Sequence, residues 1–199
     1  VSWDLEVPLY FAPSYEFEEK LTLKRSNAHE IVAEECKSIR EGVALLDITG
    51  FSRFEVKGEN VEAWLDQIFA TKLPKPCRAR LAVMLSSSGK LKGDLTVLNW
   101  GDGTFWIMGS YYLRAWHMRW FNDHMQDGVS VKDLGDEICG FALIGPNSHS
   151  VLKKVAEEDV SNMRFMDCKR LDIGLIQARV ARMSVTGETG FEINCKMGD

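Results

Sequence analysis

Apolar residues along this chain switch repeatedly between helical spacing and strict alternation. Between 28 and 41, Ile31, Val32, Ala33, Cys36 and Ile39 recur at helical intervals and Gly42 supplies a stop. Short strands are predicted over 43–48 and 52–57, broken at Gly50. Asn60 is placed to cap a helix whose Val61, Trp64, Leu65 and Ile68 share one face. Segments 80–86 and 91–100 flank Ser87-Ser88-Gly89-Lys90, and Leu95, Val97 and Asn99 alternate with Thr96, Leu98 and Trp100, the pattern of a β-hairpin. A strand over 105–108 leads into a helix over about 110–125 with Leu113, Trp116, Trp120 and Phe121 on one side. Strands are expected over 129–134 and 138–144. Gly145-Pro146-Asn147 then opens a helix in which Val151, Leu152 and Val155 face inward. Segments 164–167, 171–182 and 191–195 form a strand-rich end. Strands alternate with helices, but the hairpin argues for an α+β fold of antiparallel sheets with packed helices rather than a parallel, doubly wound one.

The first 27 residues differ in kind. Residues 3–11 are rich in aromatic side chains without a helical period, and Pro8 and Pro13 exclude a regular element, so the segment reads as an extended arm. With 199 residues, 45% of them hydrophobic and 27% charged, the chain has the composition of a soluble globular domain. No apolar run approaches membrane-spanning length and no export signal is visible, so neither a membrane nor secretion is expected. A net charge of −5 argues against nucleic acid as a partner. The charge is uneven, however: Lys72, Lys75, Arg78, Arg80, Lys90 and Lys92 fall between 71 and 93 with no acid among them. That stretch either attracts an anionic ligand or forms two solvated loops. Cys36, Cys77, Cys139, Cys168 and Cys195 are odd in number and widely spaced, without a C-x-x-C or a histidine at zinc-ligand spacing. They read as inert thiols of a reducing compartment, and no metal site is expected.

Several chemistries are excluded by missing motifs. There is no G-x-G-x-x-G after a strand, no phosphate-binding G-x-x-x-x-G-K-[ST] and no G-x-S-x-G elbow. His29, His117, His124 and His149 are scattered and read as packing or surface residues. Two acids stand out. Asp94 lies early in a predicted strand, where aspartate is disfavoured; it is either a functional carboxylate or an edge residue pairing with Lys92 or Lys90. Glu188 lies between Gly187 and Gly190, which permit a tight turn and close backbone approach to a ligand; otherwise it is an ordinary loop acid.

Taken together, these segments resemble the folate-binding aminomethyltransferase family, to which the glycine-cleavage T-protein belongs. The likeness is carried by Gly89 with Asp94-Leu95-Thr96-Val97, by Thr186-Gly187-Glu188-Thr189-Gly190-Phe191-Glu192, by Ile144-Gly145-Pro146, and by the run from Ala44 to Gly58. The arm from Trp3 to Phe11, Arg25-Ser26-Asn27 and Glu34-Glu35-Cys36 are most similar to the C-terminal modules of dimethylglycine and sarcosine dehydrogenases. Val185 and Leu81 stand where the family usually has tyrosine.

The resemblance implies an aminomethyltransferase-type fold that is incomplete at its C-terminus. Residues 1–27 would link an upstream flavin domain, and 28–199 would be part of the folate-binding domain, with a barrel domain beyond. It implies tetrahydrofolate as cofactor, with FAD in the upstream domain. The implied reaction captures the iminium or formaldehyde from oxidative demethylation of dimethylglycine or sarcosine as 5,10-methylenetetrahydrofolate. By resemblance, Glu188 recognises the pterin, Asp94 is the catalytic carboxylate, and Ser110 and Met84 line the pocket. Partners would be folate and a small methylated amine, and the compartment the cytoplasm, or the mitochondrial matrix in a eukaryote. A free-standing aminomethyltransferase, another folate-dependent demethylase and a non-catalytic module with the same fold stay open as alternatives.

Overall fold

The structure is a computed structural model and describes residues 8–198. Residues 8–27 contain no helix or strand, and the part of the arm from Trp3 to Val7 lies outside the described residues. Four α-helices follow: α1 (Ala28–Glu41), α2 (Val61–Ile68), α3 (Arg114–Asp123) and α4 (Ser148–Val155). The strands are β1 (Ala44–Asp47), β2 (Ser52–Gly58), β3 (Arg78–Leu85), β4 (Leu91–Asn99), β5 (Phe105–Gly109), β6 (Val129–Asp133), β7 (Ile138–Ile144), β8 (Cys168–Ile173), β9 (Ile176–Ala181) and β10 (Gly190–Lys196).

They form two five-stranded sheets, one ordered β1-β7-β10-β9-β8 and the other β3-β4-β5-β2-β6. Every strand pair is antiparallel. Side-chain alternation stacks these sheets face to face with a helix on each outer side. Leu95, Val97, Phe105 and Ile107 point outward onto Trp64, Leu65 and Ile68 of α2 and Phe121 of α3. Their neighbours Leu98, Trp106 and Met108 point the other way and meet Ile138, Cys168 and Ala181 of the first sheet. On that sheet's far side, Leu143, Val180 and Phe191 bury Leu152 of α4. Burying an aromatic such as Trp64 or Phe191 removes about 150–250 Å² from water, which is why sheets with two apolar faces are stable here.

Five sequence expectations change. Segment 164–167 is a turn rather than a strand: Met166 has φ 67, and the Asp167 carboxylate accepts from the Arg164 amide and pairs with Arg78. The run 171–182 is a hairpin, β8 and β9, because Gly174 takes φ 58 and reverses the chain. The helix over 110–125 is shorter: Tyr111–Leu113 form a 3-10 turn before α3. Val155, expected inside, ends α4 at 46% exposure. Asn60 sits at the N-cap of α2 but makes no side-chain cap bond.

Candidate functional site

Asp94 stands on the inter-sheet face of β4 at its open end. It is paired across to Val83, and Thr96 two residues on is paired to Leu81 and Met108. Residues directly opposite in an antiparallel pair share a face, so Leu81, Val83, Asp94, Thr96 and Met108 lie together. Continuing the β4–β5 register one step past the strand end sets Ser110 opposite Asp94. Met108 is buried in the inter-sheet cluster, whereas Asp94 and Ser110 are exposed. Leu81 is 63% exposed and Val83 36%. Asp94 has no ion pair among the described residues, an acid left open beside uncovered apolar side chains.

Lys92 is not its partner. The register slips between Met84 and Leu85, so that Met84 faces Gly93 while Leu85 faces Leu91. Lys92 is the extra residue of a bulge. Its ammonium lies 5.1 Å from the Trp116 ring centroid and 5.5 Å from that of Trp120. Two aromatic faces hold that cation on the helical side of the sheet.

Met84 does not share a wall with Asp94. Its side chain is fully buried in the cluster under α2 and α3, on the opposite face of the sheet. A Cβ added at Gly93 would lie 2.9 Å from Met84 Cε and 3.0 Å from His117 Nε2. Met84 and His117 therefore support the strand that carries Asp94 from behind. His117 is 1% exposed, and burial pulls its imidazole below the usual histidine range.

Glu188 belongs to the β9–β10 connection. Gly187 takes φ 82, and Thr186 Oγ1 accepts from the Glu188 amide at 3.4 Å and lies 3.0 Å from Ser184 Oγ. The loop is tied to the start of α4, where the Thr189 carbonyl accepts from the Gly145 amide at 2.8 Å and from Ser148 Oγ at 3.2 Å. The Glu188 carboxylate retains 25% exposure and approaches Arg40 Nη1 at 3.7 Å, from a side chain 76% exposed. An exposed pair of this kind contributes about 0–1 kcal/mol, so the contact with Arg40 commits Glu188 little to the fold. At the preceding step the loop carries Val185, 78% exposed, and Met183 packs into the same inter-sheet cluster as Met108.

The strongest polar constellation was invisible from the sequence. Arg53 is fully buried between the sheets: its Nε donates to Asn194 Oδ1 at 2.6 Å, Nη1 to the carbonyls of Thr49 at 3.0 Å and Phe51 at 2.8 Å, and Nη2 to that of Ile48 at 3.0 Å. Burial lowers the guanidinium to about 10, against opposing attraction from Glu192. Burial likewise raises Glu192 above the carboxylate range while Arg53 pulls it back. Arg53 occupies the alternate, apparently solvent-facing position of β2. Only a second sheet stacked on that face could reveal its burial. Nearby, Arg179 lies over the Trp100 and Trp106 rings at 4.7 and 5.1 Å and meets Asp102 at 3.5 Å.

Among the described residues, no group of three or more His, Cys, Asp or Glu side chains is arranged to hold a metal ion, and no helix is long and apolar enough to cross a membrane.

Residues 2–199 match the family model described as the GCVT N-terminal domain. The chain is 29% identical over 189 residues to human mitochondrial dimethylglycine dehydrogenase, covering 92% of this chain and 22% of the relative. It is 29% identical over 171 residues to the aminomethyltransferase of Bacillus licheniformis, covering 84% of this chain and 47% of the relative. The chain thus spans less than half the length of these relatives. Among solved structures it superposes on the glycine cleavage system aminomethyltransferase T from Bartonella henselae with a TM-score of 0.73 at 20% identity, covering 82% of this chain and 45% of that one. It also superposes on heterotetrameric sarcosine oxidase from Corynebacterium sp. U-96 with a TM-score of 0.62 at 20% identity, covering 88% of both chains.

Proposed function

The chain belongs to the GCVT N-terminal domain family, and from that membership we propose that it binds tetrahydrofolate on the open face between its sheets and serves the capture of a one-carbon unit released by oxidative N-demethylation. The relatives are enzymes, an aminomethyltransferase and a dimethylglycine dehydrogenase. The observation that carries the reading is Asp94: a carboxylate without an ion partner among the described residues, flanked by exposed Leu81 and Val83. A flat aromatic ligand suits such a mixed surface, since it covers the apolar side chains and leaves the acid facing its polar edge. When bound, tetrahydrofolate would supply the nucleophilic amines that take up the one-carbon unit.

In this reading each residue has a limited task. Asp94 stabilises positive charge developing on the incoming iminium and accepts or returns a proton at its carboxylate oxygen. Glu188 accepts two adjacent N–H groups from the pterin edge, exchanging Arg40 for charge-assisted bonds. Ser110 offers a hydroxyl on the same face as Asp94. Met84 takes no part in the wall and keeps Gly93 and the strand in place. The amine oxidation, and the FAD it needs, belong in this proposal to a flavin domain outside residues 1–199, which the arm would join.

The test is Asp94→Asn in the full-length protein. Methylene-folate formation is expected to fall about 10²-fold or more, with oxidation of dimethylglycine or sarcosine little changed. Equal loss of both would remove Asp94 from the assigned role.

A further inference from the structure

The sequence presents Cys139 and Cys195 as unrelated thiols, but the fold sets them face to face. β7 and β10 run antiparallel in the middle of their sheet, and Cys195 is directly opposite Cys139 in the register. Their sulfurs are 3.2 Å apart. Opposed residues of antiparallel strands have Cα atoms roughly 4.5–5.5 Å apart, inside the span of about 4.4–6.8 Å that a disulfide accepts. The bond can therefore form by side-chain rotation alone, without moving either strand.

The surroundings favour reaction at this pair. Cys139 is partly exposed, giving an oxidant access, while Cys195 is buried behind it. Cys168 is buried, and that burial pushes its thiol up to about 12.

We propose that Cys139 and Cys195 are an oxidant-responsive thiol pair that closes to a cross-strand disulfide by exchange with a small disulfide such as glutathione disulfide. Cys139 gives up its proton and its sulfur attacks one sulfur of glutathione disulfide, breaking that S–S bond and releasing one glutathione thiolate. Cys195 then loses its proton and attacks Cys139 Sγ in the mixed disulfide, expelling the second glutathione. Two protein thiols are oxidised by two electrons, one glutathione disulfide is reduced to two thiols, and the two protons pass to the departing thiolates. The product fastens β7 to β10 at the end of the sheet away from the Glu188 loop, so it locks the sheet without entering the proposed folate face.

The experiment equilibrates the full-length protein in glutathione buffers of graded redox ratio, quenches with an alkylating agent and maps disulfides by peptide mass spectrometry. A Cys139–Cys195 linkage should appear as the ratio becomes oxidising and reverse with dithiothreitol. The oxidised protein should melt roughly 5–15 °C higher, a shift that Cys139→Ser removes. Because Cys195→Ser at the buried position risks the fold, the second measurement uses the unmodified protein with phenylarsine oxide. This reagent bridges two thiols and should protect Cys139 and Cys195 from alkylation together. Mixed disulfides on Cys36 and Cys77 alone, a Cys77–Cys168 linkage, or independent alkylation of Cys139 and Cys195 in the presence of phenylarsine oxide would overturn the proposal.

Discussion

Glu188 and Glu192 are four residues apart in one motif and have opposite fates. Glu192 points between the two sheets, is 3% exposed and faces the buried charge of Arg53. Glu188 sits on a loop with the solvent-exposed Arg40 at 3.7 Å. The first is committed to holding the sheets together, because a buried charge must be matched by others to be tolerated. The second is uncommitted, and Asp94, exposed and without an ion pair among the described residues, resembles it. The contrast separates acids that the fold consumes from acids that it leaves exposed, and the expected effects of substitution follow that division.

The largest effect is expected where the buried network is broken. Arg53→Met leaves Glu192 uncompensated and takes the guanidinium donor from the carbonyls of Ile48, Thr49 and Phe51. Removing one partner of a buried pair costs about 3–5 kcal/mol, which urea unfolding should register as a lower midpoint. A change below about 1 kcal/mol would mean the network is replaceable.

A smaller effect is expected behind the open face. Gly93→Ala forces a methyl against Met84, Leu95 and His117. Overpacking of this kind costs about 1–3 kcal/mol. It should also shift Asp94, so that folate affinity falls together with stability. Wild-type stability in the variant would show that the cluster yields.

The smallest is a dependence on pH. Burial raises Glu192 in the folded chain above its ordinary value of 4.5. A carboxyl raised on folding contributes stability that is complete below the unfolded value and is lost as pH climbs through the folded one. The advantage of the wild type over Glu192→Gln should therefore shrink as pH rises above about 4.5, read from urea midpoints at a series of pH values. A difference that stays flat would show that Glu192 is not perturbed by burial.

The part of this division that the sequence could show follows from what alternation encodes. Leu95 and Val97 announce a strand with one apolar face, and Ile31 to Ile39 announce a helix, because spacing reports the period of each element. Alternation does not say what covers the other face, so the burial of Arg53, Glu192 and Asn194 leaves no mark in it. The resemblance puts Met84 in the pocket, but the β3–β4 register sets it opposite Gly93, one residue out of phase with Asp94, so its side chain falls on the other face of the sheet. Asp94 and Glu188 could be singled out for a different reason: each breaks a local preference, aspartate in a strand and a glycine-bracketed acid on a turn. The cysteine pair was hidden by the 56-residue separation that the β7–β10 register closes.

The most direct test of the account is calorimetric titration of folinic acid into the full-length protein and its Glu188→Gln variant. The account predicts saturable binding that weakens by about 10-fold or more in the variant, a change of about 1.4 kcal/mol or more, while the urea midpoint stays within about 0.5 kcal/mol of wild type. Equal binding by both proteins, or none by the intact one, would contradict it.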